Sequence, residues 1–347
     1  MSERYQISII FTDECNMRCT YCTTAKRRVD ISNAVIEKTC QLIAATAPAA
    51  ININYHGGEP TLVWPQVEYF TACLLPKIHG RNVSLNMCTN GTNIEQTQAQ
   101  FLKKHNFDLR VSIDGKANTH TLFRKARDRS QEAKDIYTRT LRGLKYLIAH
   151  QVPTAANMVV TPKTVVQLAE NAVFLLKQGL VHLVISPVVG MPWDDDALVT
   201  LNDQLRLMAV VWRRWLSKAT PAKQEYLRRS ILSEIDRAAY CIGERMNQPD
   251  AKIFVIGPDG RIFGDEPEVR SEKNLVLGTV FSVSHFDELP PLPKTAFQLM
   301  YDKEFYPPHV LRDVQRTHKI LRNRLAETYQ QLFPAAQHDL NRVLQRT

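Results

Sequence analysis

The sequence predicts an α/β protein: a partial (β/α)6 barrel followed by a C-terminal α+β extension. One observation predicts the α/β class, and a second limits the barrel to six units. Six short runs typical of β-strands alternate with segments of helical periodicity over residues 1–190, and such units form parallel sheets with right-handed crossovers. The two further units that a complete eight-unit barrel needs are not recognisable. The predicted core therefore spans 1–190, a helical connection 191–246, and a hairpin region with a C-terminal helix 247–347.

The core elements follow in order along the chain. Ser32 and Thr92 are predicted N-caps because a hydroxyl side chain precedes a helical pattern at each. The predicted strands are Gln6–Thr12, Ile51–Tyr55, Asn82–Thr89, Asp108–Asp114, Thr154–Thr161 and His182–Pro187. The predicted helices are Asn33–Ala45, Val67–His79, Ile94–His105, Asp135–His150 and Thr164–Gln178.

The extension has three recognisable parts. Leu201–Leu216 has apolar residues at helical spacing, and Trp212 and Trp215 are assigned to packing. Two β-type runs flank Gly257-Pro258-Asp259-Gly260, which predicts a hairpin. A last amphipathic helix is predicted over Val310–Leu332, whose basic residues form a solvated face or a docking face for an acidic partner.

Composition excludes several classes of protein. With 44% hydrophobic and 23% charged residues, the 347-residue chain has the composition of an ordinary globular protein. No apolar run reaches the ~18 residues of a membrane span, and the start carries no apolar signal segment. We therefore expect a cytoplasmic protein without a membrane partner. The net charge of +9 permits an acidic partner, but the basic residues are dispersed and nucleic acid is not expected.

Three of the seven cysteines follow the first predicted strand. Cys15, Cys19 and Cys22 have the spacing C-x3-C-x2-C. Thiolates select zinc or iron–sulfur centres, and three on one loop can hold three corners of a cubane cluster while the fourth iron stays open. A structural zinc site is the alternative. Disulfides are not expected from an odd number of cysteines in a reducing compartment.

The cysteine triplet, with Tyr21 before its last member, resembles the signature of the radical SAM superfamily. The resemblance implies that the open iron binds the amino and carboxylate groups of S-adenosylmethionine (AdoMet). Gly57-Gly58-Glu59-Pro60, after the second predicted strand, resembles the family element that binds the methionine ammonium group. Paired glycines allow close backbone approach, whereas a simple turn is the alternative reading.

Two further motifs resemble the subgroup that contains anaerobic sulfatase-maturating enzymes and other peptide-modifying members. Thr89-Asn90-Gly91-Thr92 follows the third predicted strand and Ser112-Ile113-Asp114-Gly115 the fourth. The resemblance places Asn90, Ser112 and Asp114 at the cofactor, the last two near its ribose and methionine part.

Three more residues are weaker cofactor candidates. Arg124 resembles an arginine that contacts the cofactor carboxylate, a pairing that suits a guanidinium, although a solvated surface position is the alternative. Asn157 and Ser186 lie on the fifth and sixth predicted strands and point to the same end of the sheet.

The C-terminal region resembles a SPASM extension that has lost its auxiliary clusters. Cys241 matches its opening, but no cysteine follows Cys241, and one thiolate cannot hold a [4Fe-4S] cluster. We therefore expect a single cluster. Asp265 and Glu266, where a cysteine is expected, are candidate substrate contacts or a base, or else a solvated turn. Cys88 is a candidate hydrogen-atom donor or a packing residue, and Cys40 and Cys73 are predicted buried thiols.

The resemblance implies a radical SAM enzyme with one [4Fe-4S] cluster, AdoMet and an external one-electron reductant. It would generate a 5′-deoxyadenosyl radical and cross-link, epimerise or oxidise side chains of a ribosomal peptide or protein. The alternatives are radical chemistry on a sugar or nucleoside, and a non-catalytic iron–sulfur or zinc protein. No leader-binding domain is expected before Ile7, so a leader would bind the C-terminal region or a partner protein. The oligomeric state does not follow from the sequence.

Overall fold

The structure is a computed structural model that describes residues 4–22, 28–46, 50–128, 133–241, 251–264, 276–290 and 307–344. The chain divides into two compact units. The first contains residues 1–111, 124–153 and 249–296, and the second contains 112–123, 154–248 and 297–347. Each unit is therefore assembled from segments that are distant in the sequence.

The first unit is built on a sheet. Its strands are β1 Arg4–Ile10, β2 Ala50–His56, β3 Asn82–Thr89, β4 Phe107–Ser112, β7 Ala251–Ile256, β8 Arg261–Phe263 and β9 Val276–Thr279. Their order in the sheet is β4-β3-β2-β1-β7-β8-β9. Strands β4 to β1 are parallel, β7 is parallel to β1, and the β7–β8 and β8–β9 pairs are antiparallel. The antiparallel β7–β8 pair confirms the predicted hairpin.

Helices connect the parallel strands of the first unit. Ile7, Ile9, Ile53, Tyr55 and Val111 are completely buried in its core. The helices are α1 Asn33–Thr46, α2 Trp64–Leu74, α3 Gln96–Lys104 and α5 Ala133–Ala149, with 3-10 turns at Pro60–Val63, Leu75–Ile78 and Phe286–Glu288.

The predicted helix boundaries are confirmed at some ends and wrong at others. Ser32 caps α1, because its Oγ accepts the Val35 N–H at 3.3 Å. Thr92 does not cap α3. That helix begins at Gln96 behind a capping box formed by Glu95 and Gln98. The helix predicted to reach residue 79 changes to a 3-10 turn at Leu75, since Pro76 lacks an amide hydrogen and disfavours the preceding α-helical turn.

The second unit combines a parallel strand pair with long helices. β5 (Thr154–Val160) pairs with β6 (His182–Pro187) in parallel. One face of α7 (Asp195–Leu216) is buried, as the helical spacing predicts, and its buried residues include Leu201, Leu205, Met208 and Trp212. Trp215 is only half-buried. The elements are α4 Ala117–Phe123, β5 Thr154–Val160, a 3-10 turn Val165–Gln167, α6 Leu168–Lys177, β6 His182–Pro187, α7 Asp195–Leu216, α8 Pro221–Cys241, α9 Pro308–Leu332, a 3-10 turn Pro334–Ala336 and α10 Gln337–Leu344.

The alternation of parallel strands and helices confirms the predicted α/β class. All six predicted core strands are present. Helix α4 is missing from the predictions because seven residues are too few to display helical periodicity. Within the described part of the chain, no helix combines the length and apolar character needed to cross a membrane. The cytoplasmic location and the three domain boundaries stay predictions.

Candidate functional site

The glycine pair after β2 holds the cysteine loop against the end of that strand. The Gly58 N–H donates to the Thr12 carbonyl at 2.7 Å, and the Glu59 N–H donates to the Glu14 carbonyl at 2.8 Å. A Cβ atom on Gly58 would lie 2.1 Å from the Glu14 carbonyl oxygen, and one on Gly57 would lie 2.5 Å from that of Thr12. Only glycine permits this backbone contact, which sets the path of the chain into Cys15.

Glu59 is a buried carboxylate that is 1% exposed. Its Oε1 accepts hydrogen bonds from Thr61 N and Thr61 Oγ1 at 3.1 and 2.6 Å and from Thr89 Oγ1 at 2.6 Å. Its Oε2 accepts the Asn90 N–H at 2.6 Å. Burial raises the pKa of Glu59, and the hydrogen bonds oppose that effect. Glu59 therefore ties the end of β2 to the end of β3, and its contact with an ammonium group stays a prediction.

The three clustered cysteines differ in exposure. Cys15 is buried, Cys19 is intermediate and Cys22 is exposed, and none of them is part of a disulfide. Cys15 Sγ accepts the Met17 N–H at 3.3 Å, an interaction that suits a thiolate ligand. The donor set therefore fits an iron–sulfur cluster, in which such thiolates bind separate irons. Within the described ranges, no group of three His, Cys, Asp or Glu side chains is gathered around a single metal-ion position.

A second segment of the first unit pairs with the cysteine loop. Arg18 N–H donates to the Lys125 carbonyl at 2.7 Å, and Arg127 N–H donates to the Asn16 carbonyl at 2.9 Å. These backbone hydrogen bonds flank the antiparallel bridge between Met17 and Ala126. The loop is thus held by residues more than 100 positions away, a contact that its own sequence does not reveal.

Asn90 reaches the cysteine loop from the end of β3. Its Nδ2 donates to Asn16 Oδ1 at 2.8 Å and to Cys15 Sγ at 3.9 Å. Its Oδ1 accepts from Thr92 N at 2.9 Å and Thr92 Oγ1 at 2.7 Å, and its carbonyl accepts from Thr140 Oγ1 at 3.0 Å. Asn16 in turn donates to Thr92 Oγ1 at 2.8 Å. Sequence reasoning found Asn90 but missed the roles of Asn16, Thr92 and Thr140.

Arg124 is 4% exposed, so the alternative of a solvated surface position is wrong. The centre of its guanidinium lies 5.5 Å from the ring centroid of Tyr21, within the range of a cation–π interaction. The structure therefore brings Arg124 into contact with Tyr21, a residue of the cysteine loop, although separate motifs predict the two.

Ser112, Asp114, Asn157 and Ser186 all belong to the second unit. Asp114 is 4% exposed, and its Oδ1 accepts the Val159 N–H at 2.9 Å. Ser186 Oγ donates to Asn157 Oδ1 at 3.2 Å, between β6 and β5. These contacts place Asp114, Asn157 and Ser186 at neighbouring positions within that unit, while the roles of all four residues toward a cofactor stay predictions.

The predictions for the remaining candidates are confirmed for one thiol, wrong for a second and untested for the others. Cys40 is completely buried as predicted, and burial raises the pKa of its thiol. Cys73 and Cys88 are half-buried, so the prediction of a buried thiol is wrong for Cys73. The role of Cys88 stays a prediction. Asp265 and Glu266 lie outside the described residues.

Comparison with known proteins places these features in a family context. Residues 9–175 match the model of the radical SAM superfamily. The chain is 24% identical over 213 residues to a serine-type anaerobic sulfatase-maturating enzyme of Klebsiella pneumoniae, covering 58% of this chain and 52% of that protein. It is 31% identical over 123 residues to a cysteine-type anaerobic sulfatase-maturating enzyme of Clostridium perfringens (strain ATCC 13124), covering 32% and 33%.

A solved structure described as native anSMEcpe with bound AdoMet and Cp18Cys peptide shares the fold. The TM-score is 0.65 at 16% identity, with 99% of both chains covered. In sequence, the chain spans about half the length, or less, of the curated relatives it matches first.

Proposed function

We propose that the chain is a peptide- or protein-modifying radical SAM enzyme, because residues 9–175 match the model of the radical SAM superfamily. In this family, a reduced [4Fe-4S] cluster and bound AdoMet supply a radical that removes a hydrogen atom from the substrate. The observation that carries the proposal is the cysteine loop, held against the glycine turn after β2 and hydrogen-bonded at Cys15.

Cys15, Cys19 and Cys22 would hold the cluster. Three protein thiolates leave one coordination position open, as catalytic metal sites require. Burial of Cys15 beside two N–H donors keeps water from that ligand. The exposure of Cys22 leaves the other end of the loop accessible, and an external one-electron reductant would deliver its electron there.

The AdoMet methionine group would lie between the glycine turn and Arg124. The buried guanidinium can pair bidentately with a carboxylate, and the segment Gly57–Pro60 would contact the ammonium group. Tyr21 supports Arg124 through its ring face. Ser112 and Asp114 are proposed cofactor contacts by resemblance alone. Asn157 and Ser186 are proposed from their places on the predicted strands.

The substrate is proposed to be a ribosomal peptide or a protein side chain. The support is the similarity to enzymes named for sulfatase maturation and to a structure described with a bound peptide. The β7–β8 hairpin resembles a SPASM scaffold without auxiliary clusters, and it is proposed as a lid or substrate platform.

The first experiment is anaerobic reconstitution of the full chain with iron and sulfide. One cluster predicts about four irons per chain, and addition of dithionite and AdoMet should release 5′-deoxyadenosine. Cys19→Ala should lose the cluster and the product, whereas Cys73→Ala, a half-buried thiol outside the loop, should retain both. About eight irons per chain would contradict the single-cluster proposal. Absence of 5′-deoxyadenosine from the reconstituted wild type would contradict the enzyme proposal.

The substrate class is tested separately by mass spectrometry of candidate peptides co-expressed with the enzyme. A mass change in a peptide, absent with the Cys19→Ala variant, is the expected result. Turnover of a sugar or nucleoside with no change in any peptide encoded beside this gene would favour the small-molecule alternative.

A further inference from the structure

Every polar group of Asn90 is engaged by the surrounding protein. The backbone N–H donates to buried Glu59, and the backbone carbonyl accepts from Thr140 on α5. The side-chain oxygen accepts two hydrogen bonds from Thr92, and the side-chain nitrogen donates to Asn16 and Cys15. Asn90 is 6% exposed. A side chain held in this way has no polar atom left without a partner.

These contacts determine which end of the Asn90 amide faces the sulfur. Exchange of the amide oxygen and nitrogen would turn the NH2 group toward the backbone N–H of Thr92, a donor against a donor. The Thr92 contacts therefore keep the NH2 group on the side of Cys15 and Asn16. The N–H···S contact with Cys15 is a consequence of the buried network around Asn90.

We infer that Asn90 is a positioning residue that raises the reduction potential of the cluster through its contact with Cys15. This inference rests on the proposed function, since it requires the thiolate to be a cluster ligand. Reduction adds one negative charge to the cluster and its sulfur ligands. A hydrogen-bond donor at a ligand sulfur stabilises the more negative, reduced state. The Met17 N–H supplies a second donor to the same sulfur from within the loop.

Asn90 also links the cluster ligand to the glycine turn. Glu59 follows that turn directly and accepts the Asn90 N–H, while the Asn90 amide reaches Cys15. The residues proposed to meet AdoMet and the residue proposed to tune the cluster thus share one buried hydrogen-bond network. This arrangement holds the ends of β2 and β3 at a set distance from the sulfur.

The test is a redox titration of the reconstituted cluster, in the absence of AdoMet, followed by electron paramagnetic resonance. The variants are Asn90→Ala, Asn90→Ser and Asn90→Asp. Asn90→Ala and Asn90→Ser should lower the equilibrium constant for reduction about tenfold, which is about 59 mV for one electron. Asn90→Asp should shift the potential further in the same direction, because it places a carboxylate beside Cys15.

The matched control is Asn93→Ala in the same loop. Asn93 accepts a hydrogen bond from Arg139 at 2.7 Å, and its removal leaves the donors to Cys15 in place, so the wild-type potential is expected. A wild-type potential in any Asn90 variant that holds the cluster would overturn the inference, as would an equal shift in Asn93→Ala. Loss of the cluster from all three Asn90 variants, with the melting temperature of the apoprotein unchanged, would also overturn it, because Asn90 would then act in cluster retention and not on the potential. Failure of the proposed function itself would appear differently, as a wild type that assembles no cluster.

Discussion

The backbone N–H of Asn90 donates to Oε2 of Glu59 at 2.6 Å, joining the ends of the neighbouring strands β2 and β3. Both residues also contact the segment that leads through Cys15. Glu59 does so through its own N–H to the Glu14 carbonyl, and Asn90 does so through its side chain. The position of the cysteine loop therefore depends on a carboxylate and an amide that lie outside it.

Glu59→Gln is expected to lower the free energy of unfolding by about 1–3 kcal/mol, the cost of leaving a buried polar group unsatisfied. Either orientation of the new amide places an NH2 group against a backbone N–H, that of Asn90 or that of Thr61. Urea denaturation of the apoprotein measures the effect. Glu68→Gln is the matched control because Glu68 is exposed and binds only the Trp64 indole in the contacts described. Equal stability of the two variants would contradict the assignment.

Gly58→Ala is expected to displace the cysteine loop, since its Cβ would meet the Glu14 carbonyl at 2.1 Å. We expect a loss of roughly 2 kcal/mol or more in stability and a lower iron content after reconstitution. Gly80→Ala serves as the control. Gly80 has a φ of +80° but open space around its Cβ position, so alanine there should cost about 1 kcal/mol and leave the iron content unchanged. Full iron retention in Gly58→Ala would show that the loop does not depend on this contact.

Arg124→Lys is expected to weaken AdoMet binding to the reconstituted protein about tenfold, because an ammonium group cannot pair bidentately with a carboxylate. Tyr21→Leu should weaken binding less, through loss of a cation–π interaction worth about 0.5–1 kcal/mol, which is about two- to fivefold. Tyr21→Phe keeps the ring face and should bind like the wild type. Equilibrium dialysis gives the dissociation constants. Arg110→Lys, on an exposed position of β4, is the control, and an effect of that variant equal to Arg124→Lys would refute the site assignment.

His318 is expected to make the second unit less stable in mild acid. It is 5% exposed, and burial together with the Arg237 charge lowers its pKa to about 4 from 6.5. The unfolded chain therefore binds more protons than the folded chain between those pH values, so stability falls as the pH falls. The expected loss between pH 7 and pH 5 is about 2 kcal/mol.

Denaturant titrations at several pH values measure this dependence. His318→Gln should remove most of it, whereas His338→Gln should not, because the His338 side chain is 69% exposed. A wild-type pH dependence in His318→Gln would assign the effect to other groups.

Parts of the site can be predicted because their residues are close together in the sequence. Cys15, Cys19 and Cys22 lie within eight residues of one loop, so their spacing alone indicates a shared centre. The glycine pair Gly57-Gly58 is recognisable for the same reason, since its two members are adjacent. The prediction that Thr92 is an N-cap is wrong. A hydroxyl before a helical pattern suits an N-cap, but the Thr92 hydroxyl instead forms hydrogen bonds with Asn16 and Asn90. The same hydroxyl can cap a helix or bind other side chains, and tertiary contacts determine which of the two it does.

The sequence by itself determined the fold class, the candidate ligands and the turn that carries them, because periodicity and short motifs act within a few neighbouring residues. Only the tertiary structure decided which groups meet the buried Glu59 carboxylate and the Cys15 sulfur. Thr89 and Asn90 lie 30 and 31 positions from Glu59, and Asn90 lies 75 positions from Cys15. Parallel pairing of β1, β2 and β3 brings their carboxyl ends to one edge of the sheet. Burial at that edge then requires each polar group to find a partner.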